Sequence, residues 1–474
     1  MLTTFFLAVA MFRVTRSSGR RTRLDAAPRP SPISKLPYEI IREIFKFMVL
    51  SSEEARSHGV KTLCLVDRRW NDIANATSVL WTKITLTYPL NGDRLAVQKW
   101  LKTSGSKVMD VVVDLSYPTW YEPGKDNWVL PADFLRGVIA ALRGSEHRWR
   151  SISVQSNTWD PIREFLQAWE TPNLPALESI SFTRLTASFI SHIPQQSIEW
   201  PALFGGDGTI VPKLREVTLC GILVDWTLAA TSFRNLRKLV ILNNPREPGT
   251  TFGQFSELLA ASPMLETLDI RGYHPNPDDS PARTRTPLVH LPALKHLSIS
   301  WNRLDFACNF LLMLQIPETL ETLCLAEAEF FSVNGRIFYV NDSSTIFNLL
   351  AILGSGSSKD KDFSRPWISM LGLKSLSVSW VYSGTYEVIQ FLQKAPMIEK
   401  ICLMDVSEGV LEAIAGAQLP GTLKSLDIRW RWKDGHTLAK PRRVVKRLRE
   451  LRLPVTVRTF VGEHCSLIEV PEDM

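Results

Sequence analysis

The feature that most constrains the fold is a short apolar pattern, L-x-x-L-x-L, that keeps returning along the chain. It reads Trp149-Ile152-Val154, Leu177-Ile180-Phe182, Leu214-Val217-Leu219, Leu236-Leu239-Ile241 and Leu265-Leu268-Ile270. It continues as Leu294-Leu297-Ile299, Leu320-Leu323-Leu325, Leu373-Leu376-Val378, Ile398-Ile401-Leu403 and Leu423-Leu426-Ile428. First positions lie 28, 37, 22, 29, 29, 26, 53, 25 and 25 residues apart. Alternate residues of an extended segment point the same way, so each pattern predicts a short strand with one apolar side. Intervals of this length leave room for a turn and a return segment. That is the mark of an array whose units share one core by stacking. The interval of 53 is close to two units, so a divergent unit is expected around Phe331–Ser357. Val108-Val111-Val113 reads as an earlier, irregular unit. Most units open on a proline-containing turn, as in LPALES, SPMLET, PETLET and PGTLKS.

Composition fits a folded body and excludes several classes. Of 474 residues, 45% are hydrophobic and 22% charged, which is globular and not disordered or collagenous. Six Cys include no C-x-x-C pair, and eight His show no zinc spacing. Disulfide scaffolds, zinc fingers and zincins are therefore excluded, and the cysteine usage favours a reducing compartment. The net charge of +7 is uneven: residues 1–35 carry +6, residues 429–452 carry +8, and residues 453–474 carry −3. Basic blocks of this kind suit nucleic acid or anionic lipid when they line a folded face. The plainer expectation is a solvated leader over residues 1–30 and a basic amphipathic terminal helix that caps the array. Met1–Phe12 is apolar and holds Ala8-x-Ala10, but it has no positive n-region and is too short to span a bilayer. It is expected to be a disordered leader, with a signal peptide as the alternative.

Ahead of the array lies a different pattern. In LPYEIIREIFKFMV, Leu36, Ile40, Ile44 and Phe47 are three or four apart, with Ile41, Phe45 and Met48 beside them. That spacing predicts a helix, and Pro37 and Glu39 suit its first turn. KTLCLVDRRWNDIANA is a second periodic segment with Leu63, Val66, Trp70, Ile73 and Ala74 on one side. Leu80-Trp81 then lead into a short strand. The apolar residues exceed a single stripe, so part of this surface is expected to meet a partner.

The string LPYEIIREIF … LCLVDRRWNDIA … LWTKI resembles an F-box, in the form common in large fungal, basidiomycete-type families. Leu36, Pro37, Glu39, Ile40, Ile44 and Phe45 match its first helix; Val66, Arg68, Arg69, Trp70, Ile73 and Ala74 match its second; Leu80-Trp81 match its third. Asp67 stands where the family usually has Cys, and the stretch from Phe47 to Leu63 is longer than in the shortest members. The array that follows resembles divergent leucine-rich repeats. Together these resemblances imply an α/β chain: an F-box-like helical module over residues 31–90, an irregular leucine-rich-repeat horseshoe solenoid with a C-terminal cap over 91–460, and an acidic tail over 461–474. They imply docking of the helices to a Skp-type adaptor, and through it to a cullin–RING (SCF-type) ubiquitin ligase, through Leu36, Pro37, Ile40, Ile44, Phe45, Val66, Trp70, Ile73, Leu80 and Trp81.

In the repeat register, the residues between the strand leucines form an open face that is mostly neutral and rich in hydroxyls. Such a face is not a track for a phosphate backbone, so nucleic acid is not expected as a ligand. Trp301, Trp380 and Trp430 share one repeat position, two places after the last apolar residue of their strands. With Arg271 and Arg429 they are the expected contacts to a target protein, tryptophan and arginine being frequent interface anchors; the alternative is that the indoles pack against the strand ends. GSGSSKDK at 354–361 and GGDGT at 205–209 lack a phosphate-loop pattern, and no catalytic motif is present. The expectation is a non-enzymatic adaptor with no cofactor and no metal, acting in the cytoplasm or nucleus without stable membrane insertion. The alternatives are a non-ligase binding scaffold and a secreted or membrane-associated repeat receptor.

Overall fold

The structure is a computed structural model. It describes residues 32–51, 53–87, 94–116, 130–168, 174–185, 211–222, 233–242, 251–272, 288–301, 307, 310–311, 313–316, 318–327, 331–333, 336–338, 369–379, 391–404, 414, 421–432, 455–461 and 466–469. The leader, the basic segment after Trp432 and both glycine-rich loops lie outside them.

Among the described residues, a short 3-10 helix Pro32–Lys35 leads into three α-helices: α1 Tyr38–Leu50, α2 Glu53–Val66 and α3 Arg68–Ala76. Pro37 precedes α1, where its missing N–H costs nothing, and Glu39 sits in the first turn. Asp67 caps α3, its carboxylate accepting from the Trp70 N–H at 2.8 Å. The departure from the family pattern at Asp67 thus satisfies one of the helix's free donors. Ile41, Phe45, Val49, Val60, Leu63, Trp70 and Ile73 close a core between the helices. There the Phe45 and Trp70 rings lie 4.9 Å apart. Trp81 donates from Nε1 to Ala74 O at 2.7 Å and meets Trp100 edge-on.

The rest is mixed α/β. The main strands are β1 Lys83–Thr87, β2 Met109–Leu115, β3 Trp149–Ser156, β4 Ser179–Arg184, β5 Glu216–Cys220, β6 Lys238–Leu242 and β7 Thr267–Arg271. A short β8, Val289–His290, precedes β9 His296–Trp301, and β10 Leu314–Gln315 precedes β11 Thr322–Glu327. The hairpin strands β12 Phe331–Val333 and β13 Arg336–Phe338 come next. Then follow β14 Ser375–Ser379, β15 Lys400–Met404, β16 Ser425–Trp432, β17 Val455–Val461 and β18 Ser466–Glu469. Between them run α4 Arg94–Thr103, α5 Ala132–Leu142, α6 Trp159–Gln167 and α7 Phe252–Ala260, the last started by a capping box between Thr251 and Gln254.

Fourteen of these strands form one sheet in chain order, β1 to β7, then β9, β11 and β14 to β18. Every pair in it is parallel except β17–β18. The register aligns the apolar pattern across the sheet: Ile180↔Val217, Val217↔Leu239, Leu239↔Leu268 and Leu268↔Leu297 are direct partners. All five side chains are buried. At the strand starts, Glu178 O accepts from Arg215 N at 2.8 Å and Glu216 N at 3.0 Å. The same double acceptance recurs at Arg215, Arg237, Glu266, Lys295, Glu321, Lys374 and Glu399. Their side chains add an ion-pair ladder: Glu266 meets Lys295 at 2.9 Å, Glu321 meets Lys374 at 3.0 Å and Glu399 meets Lys424 at 2.9 Å. The helices and the sheet share a single continuous apolar core.

Two expectations need correction. The interval of 53 residues does not hold an extra strand of the sheet, because β11 pairs directly with β14, Leu323 opposite Leu376. Chain length between neighbouring strands is free to vary, so the excess is an excursion that includes the β12–β13 hairpin. The segment 461–474 is not only a tail: β18 adds to the sheet edge opposite β17, with Phe460 across from Leu467. In the other direction, β1 places the first strand of the sheet inside the stretch assigned to the helical module.

Candidate binding surfaces

The first surface is on α1. Its apolar residues divide between two faces. Ile41, Phe45, Met48 and Val49 are buried, while Ile40 is 48% and Phe47 74% exposed. Ile44 and Leu36 are half-buried. Ile40, Ile44 and Phe47 stand at i, i+4 and i+7, so they form one outward stripe. Pro37 and Tyr38 extend it at the helix start, both exposed. Arg69 fixes that start, its guanidinium donating to Leu36 O at 2.6 Å. Beside the stripe, the Lys46 ammonium hydrogen-bonds Glu43 at 2.8 Å and holds its carboxyl below the ordinary value.

Half of the residues expected to dock a partner are instead core. Phe45, Trp70, Ile73, Leu80 and Trp81 are buried and build the support. Leu36, Pro37, Ile40, Ile44 and Val66 are exposed or half-buried. Leu65 on α2, 65% exposed, was not singled out from the sequence. It stands next to Cys64 and Val66 in an unbroken apolar run, where composition alone does not distinguish inside from outside.

The second surface is the open face of the sheet. Its middle row reads Ser153, Ser181, Thr218, Val240, Asp269, Ser298, Cys324, Ser377, Cys402 and Asp427, each a register partner of the next. Arg271 on β7 is exposed and is held by its neighbour Asp269 through Nε at 2.8 Å and Nη2 at 2.7 Å. Near the first strands Arg150 forks onto Asp110, which also accepts from Ser151 Oγ at 2.8 Å. Burial pushes the Cys220 and Cys324 thiols up, so both stay protonated and poorly nucleophilic at neutral pH. Among the described residues no cluster of His, Cys, Asp or Glu is placed to hold a metal ion. Nor is any helix long and apolar enough to cross a membrane.

Trp301 does not belong to this face. It is 1% exposed, and its Nε1 has no hydrogen-bond partner among the described residues. The reason is the period of the strand: β9 runs through Trp301, and two places after inward Ile299 is inward again. The expected target contact is in fact core. Trp380 lies outside the described residues. Trp430 and Arg429 lie in β16, Arg429 opposite Met404 and Arg458, and their side chains are outside the description. The five expected target contacts are thus not brought together as one patch of described side chains.

No known family model matches the chain, and no curated protein matches it.

Proposed function

We propose that the protein is a non-enzymatic, substrate-recognition adaptor of an SCF-type ubiquitin ligase. In this reading the helices α1 to α3 form an F-box that docks a Skp-type adaptor, and the sheet is the parallel layer of an irregular leucine-rich-repeat horseshoe that holds a target protein. The observation that carries it is the outward stripe Ile40, Ile44 and Phe47 on a helix whose other apolar face is already buried. Leaving two large apolar side chains in water forgoes about 1.5–3 kcal/mol each, which a partner recovers on binding. Two of its residues, Ile40 and Ile44, are among those that carry the F-box resemblance, and that overlap supports a Skp-type partner. The chain-order parallel sheet supports the repeat array, since stacking of successive units produces that order. Transfer of ubiquitin then belongs to another subunit, and this chain contributes proximity. Cytoplasm and nucleus are where such an adaptor acts.

The test is co-purification of the full chain with a Skp-type adaptor. Ile40→Asp with Phe47→Asp is the informative variant, because both residues are exposed and the fold does not depend on them. Loss of co-purification in a variant with an unchanged melt supports the proposal. A wild-type chain that fails to bind, or a variant that binds as before, sinks it.

A further inference from the structure

The charged row at the strand starts begins with Arg150, whose O accepts from Glu178 N at 2.7 Å, and ends with Lys424, whose N donates to Glu399 O at 2.7 Å. Backbone hydrogen bonds join each residue of the row to the next in nine steps, and eight of these steps set an acidic residue beside a basic one. The exception is Arg215 beside Arg237, where Arg237 N donates to Arg215 O at 2.7 Å. Neighbouring strands lie about 4.8 Å apart, so two arginines stand side by side where every other step pairs opposite charges. Like charges set directly opposite each other on a sheet are unfavourable.

The turns that lead into β5 and β6 add to this charge. Lys213, Arg234, Arg237 and Lys238 are all exposed. Residues 211–216 and 233–238 carry these four and Arg215 against Glu216, a net +4. The equivalent six-residue segments ending at the first residue of β4, β7, β9, β11, β14, β15 and β16 together sum to −1. The excess is therefore confined to two neighbouring units. Arg215 is half-buried, with Nη1 donating to Leu214 O at 3.1 Å. Arg237 comes no closer than 3.8 Å to Glu266, while Lys295 holds that carboxylate at 2.9 Å. In the turn before β7, Met264 is 53% exposed. Asn235 N donates to Ala261 O at 3.0 Å, which ties the turn of Arg234 to the chain just ahead of Met264.

We propose that the strand-start rim of β5 and β6 is a docking site for a short acidic segment of a protein partner. A carboxylate of the partner lies against Arg215 and Arg237 and restores the alternation that the row loses there. A guanidinium receives such a group through paired N–H donors. Lys213, Arg234 and Lys238 add attraction, and Met264 meets an apolar side chain of the same segment. Glu178 and Glu266 bound the patch one strand away on either side, and Glu216 stands within it beside Lys238. A continuous phosphate backbone along the row meets those carboxylates, which favours a short peptide over nucleic acid. The rim shares no residue with the outward stripe of α1, so the site stands whether or not the helices dock an adaptor.

Fluorescence anisotropy tests it, with a labelled glutamate-rich peptide that carries one leucine, titrated with the intact chain at low salt. Wild type is expected to bind this peptide about tenfold or more tightly than the same peptide with glutamine for glutamate, and added salt should narrow the difference. Arg234→Gln with Arg237→Gln is expected to weaken binding about tenfold, with a melt within about 2 °C of wild type because both side chains are exposed. Lys213→Gln with Lys238→Gln leaves the row itself intact and is expected to weaken binding as well. Met264→Ser is expected to weaken it about threefold, and Lys424→Gln, at the far end of the row, to bind as wild type does. Four results overturn the proposal: no preference for the glutamate peptide, unchanged affinity in either double variant or in Met264→Ser, an equal loss in Lys424→Gln, or tighter binding of a single-stranded DNA of equal formal charge. The last would make the rim a nucleic-acid surface.

Discussion

Phe45 and Phe47 are two residues apart on α1, one fully buried and the other 74% exposed. Identical side chains here carry opposite roles. Phe45→Ala is expected to cost about 3–5 kcal/mol in denaturant unfolding, whereas Phe47→Ala changes stability by no more than about 0.5 kcal/mol. Trp301→Ala belongs with Phe45, at about 3–5 kcal/mol, because the indole fills the inner side of β9. A tryptophan that served target contact alone would leave the melt unchanged. Gly372 is fixed by close approach: a Cβ there would meet Glu318 O at 1.9 Å. Gly372→Ala must push neighbouring backbone aside and is expected to destabilise by about 1–3 kcal/mol. At this scale the sequence named the apolar side chains but not which of them face outward: Phe45 was named for docking and is core, while Phe47 and Leu65 were not named for it and are exposed. Every apolar position of α1 was visible as part of a surplus beyond one stripe, but spacing alone did not say which stripe faces outward. Trp301 was misplaced because its repeat position was counted and its strand parity was not.

The capped helices and the strand-start ladder decide matters at the level of elements. Asp67→Ala removes the α3 cap and is expected to cost about 1 kcal/mol, read from the shift of the unfolding midpoint at constant slope. Along the strand starts, Glu266 and Glu321 have carboxyl pKa values lowered chiefly by hydrogen bonds from Lys295 and Lys374. A lowered folded pKa gives stability that is present above the unfolded carboxylate value, about 4.3, and lost as pH falls through the folded value. Glu266→Gln with Glu321→Gln is therefore expected to melt slightly below wild type at neutral pH. That gap should close on acidification through this range, and salt should also narrow it. A gap that widens in acid would contradict the ladder. The elements themselves were largely legible, because period-2 alternation bounded by proline turns marks a strand whatever its neighbours are. The excursion between β11 and β14 was not legible, since sequence distance does not count strands. Nor was β18, whose short Ser466–Glu469 segment offers too little alternation to stand out.

For the molecule as a whole, one apolar core runs from the helices into the sheet, and among the described residues the outward stripe of α1 and the open face of the sheet lie outside it. The outward stripe of α1 and the open face of the sheet belong to one folded body, so a partner held by one is placed at a defined distance from a partner held by the other. That is what an adaptor that works through proximity needs. The most direct measurement of the central claim is the affinity of the purified chain for a Skp-type adaptor, compared between wild type and Ile40→Asp with Phe47→Asp. The expected result is a loss of about 100-fold or more with no change in melting temperature. Equal affinities for the two chains, or no measurable binding by wild type, would contradict it.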